Sequence, residues 1–296
     1  MFRRVRMSED FREFTERVWG HYREHGRDDL PWRDTTDPYA VLVSEVMLQQ
    51  TQVARVVPKF AEFLDVFPDV HTLAAAPLDD VIRAWRGLGY NRRALSLRRA
   101  AATIVGKHDG RVPDTLEGLV ALPGIGHATA AQVLAFAYNV GVPFIETNVR
   151  SVYLHEFFRD AEDVPDAALL PLVAATLDHD RPREWFWALM DYGSHLKATV
   201  PNPSRRSRHH TRQGRFEGSS RQLRGRLLAA LAEAAGSASG VALGGIASAT
   251  PVEPPGLSAE ALTERVAFPT ERVTEALAAL QAEGFVSCVD GRWRIG

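Results

Sequence analysis

The chain has 296 residues, 35 Lys and Arg against 37 Asp and Glu, a net charge of −2 and 45% hydrophobic residues. That length accommodates two domains, or one large and one small, and the ordinary apolar content with near-neutral charge excludes a disordered polyelectrolyte. Cys288 is the only cysteine, which excludes intrachain disulfides, a cysteine-ligated zinc site and an iron–sulfur cluster held by four thiolates. No apolar run reaches the length of a bilayer span, and Met1–Met7 lacks the apolar core of a secretory signal, so a cytoplasmic protein without membrane contact is expected.

Helical spacing begins at Ser8–His25, where Phe11, Phe14, Val18 and Tyr22 fall on one face. Leu30-Pro-Trp-Arg is an extended break. Asp37-Pro-Tyr starts a second helix that runs to about Gln50. Further helices are expected over Val53–Phe67, Leu78–Trp85, Ala94–His108, Leu116–Leu122, Ala128–Tyr138, Asn148–Phe158, Asp166–Leu177 and Arg183–Leu196, with a glycine turn at Gly87-Leu-Gly-Tyr. Strand-like alternation is absent throughout. Residues 1–200 therefore read as an all-α domain.

A boundary follows at residues 201–220. Between Pro201 and Arg226 lie eight arginines, including Arg205 and Arg206, against the single acid Glu217. Such a run is either a solvated linker or a strap that contacts a polyanion, and arginine suits phosphate geometry. Residues 221–296 form the last domain, interrupted by a Gly/Ala/Ser/Pro-rich stretch at 236–256 that reads as a flexible insertion. Two short helices around Phe268-Pro, then two strands joined by Asp-Gly, give the order of a winged helix. That module serves DNA contact or partner binding equally well on this reading.

Two stretches carry chemistry. Leu122-Pro-Gly-Ile-Gly-His is a turn between apolar helices at 116–138. Pro123 stops the incoming helix, while Gly124 and Gly126 permit positive φ and close approach of another backbone. Their N–H groups, with that of His127, stand at a helix start and suit a phosphate oxygen. An ordinary helix–helix turn has the same form. Glu45 lies in the apolar run Val41–Leu48, where a carboxylate is costly unless it is functional or paired, and where burial raises its pKa. Two carboxylates with separated pKa values can cleave a glycosidic bond, one protonating the leaving group and one facing the cationic sugar.

The motifs Leu30-Pro-Trp-Arg, Ser44-Glu-Val-Met-Leu-Gln-Gln-Thr-Gln-Val, Trp85-Arg-Gly-Leu-Gly-Tyr, Leu122-Pro-Gly-Ile-Gly and Glu146-Thr-Asn-Val, in this order, resemble the helix-hairpin-helix DNA glycosylases, specifically their MutY-like adenine glycosylase branch, over roughly Phe14–Lys197. The resemblance implies a two-lobed all-α glycosylase fold and removal of adenine opposite 8-oxoguanine or guanine in base excision repair. It implies a monomer acting on double-stranded DNA with a mismatch or lesion, hence in the nucleoid. Glu45 then matches the general acid and Glu146 the carboxylate beside the sugar. Asn148 matches the residue that orients that carboxylate and the substrate. Gln50, Thr51 and Tyr90 match residues that wedge into the duplex as a base is flipped out. Arg33 matches a residue lining the base pocket. A monovalent cation bridging the hairpin carbonyls to phosphate is also implied; no other cofactor is.

Several positions depart from that pattern. Glu146 stands where the family has aspartate, and it also suits the N-cap of the helix it precedes. Ala128 stands where bifunctional relatives carry the Schiff-base lysine, so a monofunctional enzyme without β-lyase activity is expected. Lys197 occupies the first cluster-ligand position, and the arginine-rich strap is expected to grip phosphates instead. Trp187 replaces a carboxamide or carboxylate that contacts the base in adenine-specific members. A thymine or uracil mismatch glycosylase of the same fold is the alternative, and a non-catalytic DNA-binding regulator is the alternative of a different class.

Overall fold

The structure is a computed structural model and describes residues 7–210, 214–239 and 256–296. Among the described residues fourteen helices and one hairpin follow in order: α1 Met7–His25, α2 Pro38–Leu48, α3 Val53–Val66, α4 Val70–Ala75, α5 Leu78–Ala84, α6 Arg92–Lys107, α7 Leu116–Val120, α8 His127–Tyr138, α9 Thr147–Phe157, α10 Asp166–Ala175, α11 Pro182–Thr199, α12 Ser220–Ser239, α13 Ala259–Val266, α14 Thr270–Glu283, β1 Val286–Val289 and β2 Arg292–Ile295. Short 3-10 turns cover Pro31–Arg33 and Pro203–Arg206. None of the described helices is long and apolar enough to cross a membrane. The all-α expectation for the first two-thirds stands. The sequence reading missed α4, although Asp69 caps it by accepting from the Thr72 N–H at 2.8 Å.

The chain forms two compact units: Met1–Glu45 with Val112–Ala121 and Ile125–Gln213, and Val46–Arg111 with Leu122–Gly124 and Gly214–Gly296. This partition differs from the linear division at residue 200, because the C-terminal segment shares a unit with α3–α6. In the first unit α11 packs on α1 and α9. Its core holds Phe14 against Tyr153 and Trp185, with ring centroids 5.3 and 6.1 Å apart, and Phe144 on Phe186 at 4.1 Å. Helix α8 is buried from Thr129 to Ala137 with one exception, Gln132, so its alanines let neighbours approach on nearly every side. Its end is sealed by Asn139 in the left-handed region (φ 56°) and by Arg183, which donates to the Phe136 and Ala137 carbonyls at 2.7 and 3.1 Å.

In the second unit Phe63 meets Trp85 edge-on at 5.8 Å, within a core that includes Leu73, Leu97 and Ile104. Helix α12 buries Leu223, Leu227, Leu228 and Leu231 and packs on α5, α13, α14 and β2. Strands β1 and β2 pair antiparallel, Val286 opposite Ile295, around Asp290 and Gly291, both at positive φ (50° and 73°) as a two-residue hairpin of this chirality needs. Leu257 adds a bridge to Trp293 through N–H···O bonds of 2.9 and 2.8 Å. Two helices and then a hairpin, α13, α14 and β1–β2, follow in the order read from the sequence. Most of the insertion expected at 236–256, namely 240–255, lies outside the described residues, as does Arg212; residues 236–239 continue α12.

Candidate active site

Asp37 opens α2 by accepting from the N–H groups of Tyr39 and Ala40 at 3.3 and 3.1 Å, and Pro38 fits the first helical position, which has no N–H partner to lose. Two turns later Glu45 is 5% exposed among Val41, Leu42, Val43, Val46 and Met47, all buried. Burial raises its pKa to about 8; the Glu146 carboxylate adds to the rise and the Arg33 charge opposes it. Glu45 is therefore a protonated acid at neutral pH.

Glu146 does cap α9. Its Oε1 accepts from the Asn148 and Val149 N–H groups at 2.6 and 2.8 Å, and its Oε2 accepts from the Asn148 side-chain amide at 3.2 Å. Four N–H groups at a helix start lack internal partners, and the helix dipole favours an anion there, so this is a seat for an ionised carboxylate. The capping reading of Glu146 holds.

Arg33 leaves its 3-10 turn to form a two-pronged pair with Asp191 of α11, at 2.8 Å on each prong. Arg27 joins through its backbone N–H and Nε at 2.9 and 2.7 Å. Burial alone would push Asp191 up; the hydrogen bonds and charges of Arg33 and then Arg27 hold it below the usual carboxylate range. The Arg33 guanidinium lies 5.1 Å from the centroid of Trp187, which stacks on Phe136 at 5.9 Å. Arg33 Nε is buried with no hydrogen-bond partner among the described residues. Glu45, Glu146, Asn148, Arg33 and Trp187 are thus held by one compact unit. Sequence reasoning missed Gly193 there and gave Lys197 only a cluster-ligand position. Gly193 lets α11 touch the first turn of α9, since a methyl group at that position would overlap the Asn148 carbonyl. Lys197, one turn along α11, is half-buried; burial lowers its pKa and the Glu146 charge opposes that.

Gln50, Thr51 and Tyr90 belong to the other unit. Gln50 (φ 55°) and Tyr90 (φ 49°) both sit in the left-handed region, a strained state for residues other than glycine. Arg93, which the sequence reading passed over, ties their loops together. It donates to the Val46 and Met47 carbonyls at 2.8 Å, to Thr51 Oγ1 at 2.9 Å and to the Gly89 carbonyl at 3.0 Å. At the hairpin, Gly124 (φ 77°) needs to be glycine twice over, since a Cβ would strike Ser96. Gly126 corrects the expectation: its φ is −87° and nothing crowds it, so neither positive φ nor close packing requires it. Gly124, Gly126 and His127 are exposed, on either side of buried Ile125.

The strap also departs from expectation. Arg206 is committed to the end of α9, donating to the Leu154 and Phe158 carbonyls at 3.0 and 2.8 Å and to the Arg159 carbonyl. Ser204 Oγ shares a hydrogen bond with Ser151 Oγ at 2.6 Å and donates to the Thr147 carbonyl at 3.3 Å. Residues 203–208 are therefore a clamp on both ends of α9, and only Arg205 keeps an exposed side chain of the pair expected on DNA.

Residues 43–170 match the family model described as HhH-GPD superfamily base excision DNA repair protein. Curated relatives include an adenine DNA glycosylase of Mycolicibacterium smegmatis, 41% identical over 58% of this chain and 59% of the relative. Those of Mycobacterium tuberculosis (47% identical, 42% of this chain and 41% of the relative) and Rattus norvegicus (34%, 66% and 39%) also match. The chain thus spans about two-fifths to three-fifths of these proteins. Among solved structures, a thermostable thymine-DNA glycosylase aligns with TM-score 0.58 at 22% identity, covering 66% of this chain and 91% of that one. An endonuclease III in a non-covalent DNA complex aligns with TM-score 0.56 at 20% identity, covering 65% and 88%. At these identities the likeness is one of fold, and it is the HhH-GPD fold that residues 43–170 led one to expect.

Proposed function

We propose that the chain is a monofunctional DNA glycosylase that hydrolyses the N-glycosidic bond of an adenine mispaired with 8-oxoguanine or guanine. The observation that carries this reading is the division of labour between Glu45, buried and protonated at neutral pH, and Glu146, seated on helix N–H groups. Glu45 gives its proton to a ring nitrogen of the flipped adenine. The C1′–N9 electron pair leaves with the base, and Glu146 stabilises the oxocarbenium-like sugar. Water adds at C1′ and loses a proton, leaving free adenine and an abasic sugar. Asn148 orients Glu146. Arg33, held by Asp191, and Trp187 line the base pocket. Gln50, Thr51 and Tyr90 fill the stack that the base vacates. Exposed hairpin N–H groups take a phosphate oxygen, and the turn's carbonyls are the donors for a monovalent cation. Ala128 provides no amine, so no Schiff base forms. The adenine assignment draws support from the relatives' names.

The test is single-turnover excision from duplexes carrying A opposite 8-oxoguanine, A opposite G, T opposite G and U opposite G. Loss of adenine, abolished by Glu45→Gln and by Glu146→Gln, bears the reading out. Release of T or U in its place overturns the substrate and keeps the two-carboxylate site. Tight binding with no excision from any duplex favours a regulator.

A further inference from the structure

Tyr90 is held from the far end of the sequence. Arg221, in the first turn of α12, donates from Nη1 to the Tyr90 hydroxyl at 2.7 Å, while its Nη2 donates to the Gly214 carbonyl at 2.7 Å. Two guanidinium groups lie within 6 Å of the Tyr90 ring centroid, Arg221 at 5.7 Å and Arg93 at 5.6 Å. Two residues on, Arg92 donates to both Glu283 oxygens at 2.7 and 2.6 Å, and Arg224 of α12 donates to the same two at 2.9 and 2.6 Å. Those hydrogen bonds, Arg92 first, hold Glu283 down to about 2 against the effect of burial, so this second tie is ionised at any working pH. The C-terminal module therefore grips the loop at Tyr90 and again just after it.

The module's own helices are poorly suited to a polyanion. The second helix of its helical pair, α14, exposes Glu271 and Glu275, and its one arginine turns to the Gly218 carbonyl (2.9 Å) and the Phe268 ring (5.2 Å). A carboxylate-bearing face is repelled by phosphates. A side chain inserted between bases must be ordered first, and a tether that fixes its rotamer in advance lowers that entropic cost.

We propose that Arg221 is a positioning residue for Tyr90, and that the C-terminal module serves base extrusion through this tether rather than by reading DNA with α14. The inference rests on the reading of Tyr90 as a duplex wedge.

The experiment places 2-aminopurine next to the mismatch and follows its fluorescence on rapid mixing with the full chain. Arg221→Ala, Tyr90→Phe and the double variant are compared with the parent. The parent signal rises as the neighbouring base leaves the stack, the step that the Tyr90 ring assists. Each single variant slows that rise about tenfold, the size of one charge-assisted hydrogen bond, and the double variant is no slower than either. Tyr90→Phe deletes only the accepting oxygen, so it carries the test if Arg221→Ala does not fold. Losses that multiply in the double variant, a Tyr90→Phe protein as fast as the parent, or no parental rise on binding would each overturn the proposal. A parental rise with no adenine release refutes the proposed substrate and leaves this inference intact.

Discussion

Asn148 reaches the Glu146 carboxylate from two sides, with its backbone N–H on Oε1 at 2.6 Å and its side-chain amide on Oε2 at 3.2 Å. Both carboxylate oxygens are thereby fixed by the helix they cap. The arrangement separates charge from capping. Glu146→Gln keeps a side-chain oxygen that accepts from the helix N–H groups but removes the charge. Its thermal midpoint should stay close to the parent's while excision falls by at least about a hundredfold. Glu146→Ala should lose excision and also about 1 kcal/mol of stability. A Gln variant that excises normally would remove Glu146 from the mechanism.

Glu45 makes stability and activity depend on pH with definite signs. The unfolded chain releases this proton near 4.5 and the folded chain only near 8. Stability therefore falls as pH rises between those values, and Glu45→Gln should be the more stable protein at pH 7, by up to about 3 kcal/mol, with no difference below pH 4.5. Urea denaturation at a series of pH values measures this. Excision by the parent should decline as pH rises through about 8, where the acid loses its proton. Equal stability of the two proteins at pH 7 would mean that Glu45 is charged in its pocket.

Asp191 holds Arg33 and Arg27 together while only 3% exposed. Replacing it with Asn leaves two guanidinium groups short of a counter-charge, one of them buried, and should cost about 3–5 kcal/mol. Because its folded pKa is depressed, the stability it supplies is present above the ordinary carboxylate range and is lost as pH falls through the depressed value. Chemical denaturation of Asp191→Asn checks the first statement; a cost below about 1 kcal/mol would contradict it.

Arg205 and Arg206 should behave differently although they are adjacent. Arg206→Ala removes three hydrogen bonds from the end of α9 and should lower stability by about 2 kcal/mol, with little change in the salt dependence of DNA binding. Arg205 is exposed, and Arg205→Ala should leave the melting temperature alone while reducing the salt slope of binding by about one ion. Thermal melts and binding titrations at several salt concentrations separate the two; the reverse pattern would show the strap to be a DNA grip.

Most of the helices and the burial of Glu45 were legible in the sequence, because both follow from local chemistry. An apolar run of α2 length buries whatever it carries, so Glu45 had to be desolvated, and Asp290-Gly291 between two short strand-like runs had to be a hairpin. Glu146 as a cap was legible for the same reason, being a statement about the next three residues. What could not be read were relations set by distant parts of the chain. Arginine has one sequence signature and many uses. Only packing decided that Arg206 seals α9, that Arg93 joins two loops and that Arg221 holds Tyr90, because each takes backbone carbonyls or a hydroxyl far away in sequence. Gly193 was equally silent, since its role is the absence of a side chain against a carbonyl of another helix. The grouping of α12–α14 with α3–α6 is likewise a property of contacts, whereas composition alone set a boundary at residue 200. The sequence by itself determined which groups are buried and which can titrate; tertiary structure decided which partners they meet, because hydrogen bonding and charge pairing act over a few ångströms regardless of separation along the chain.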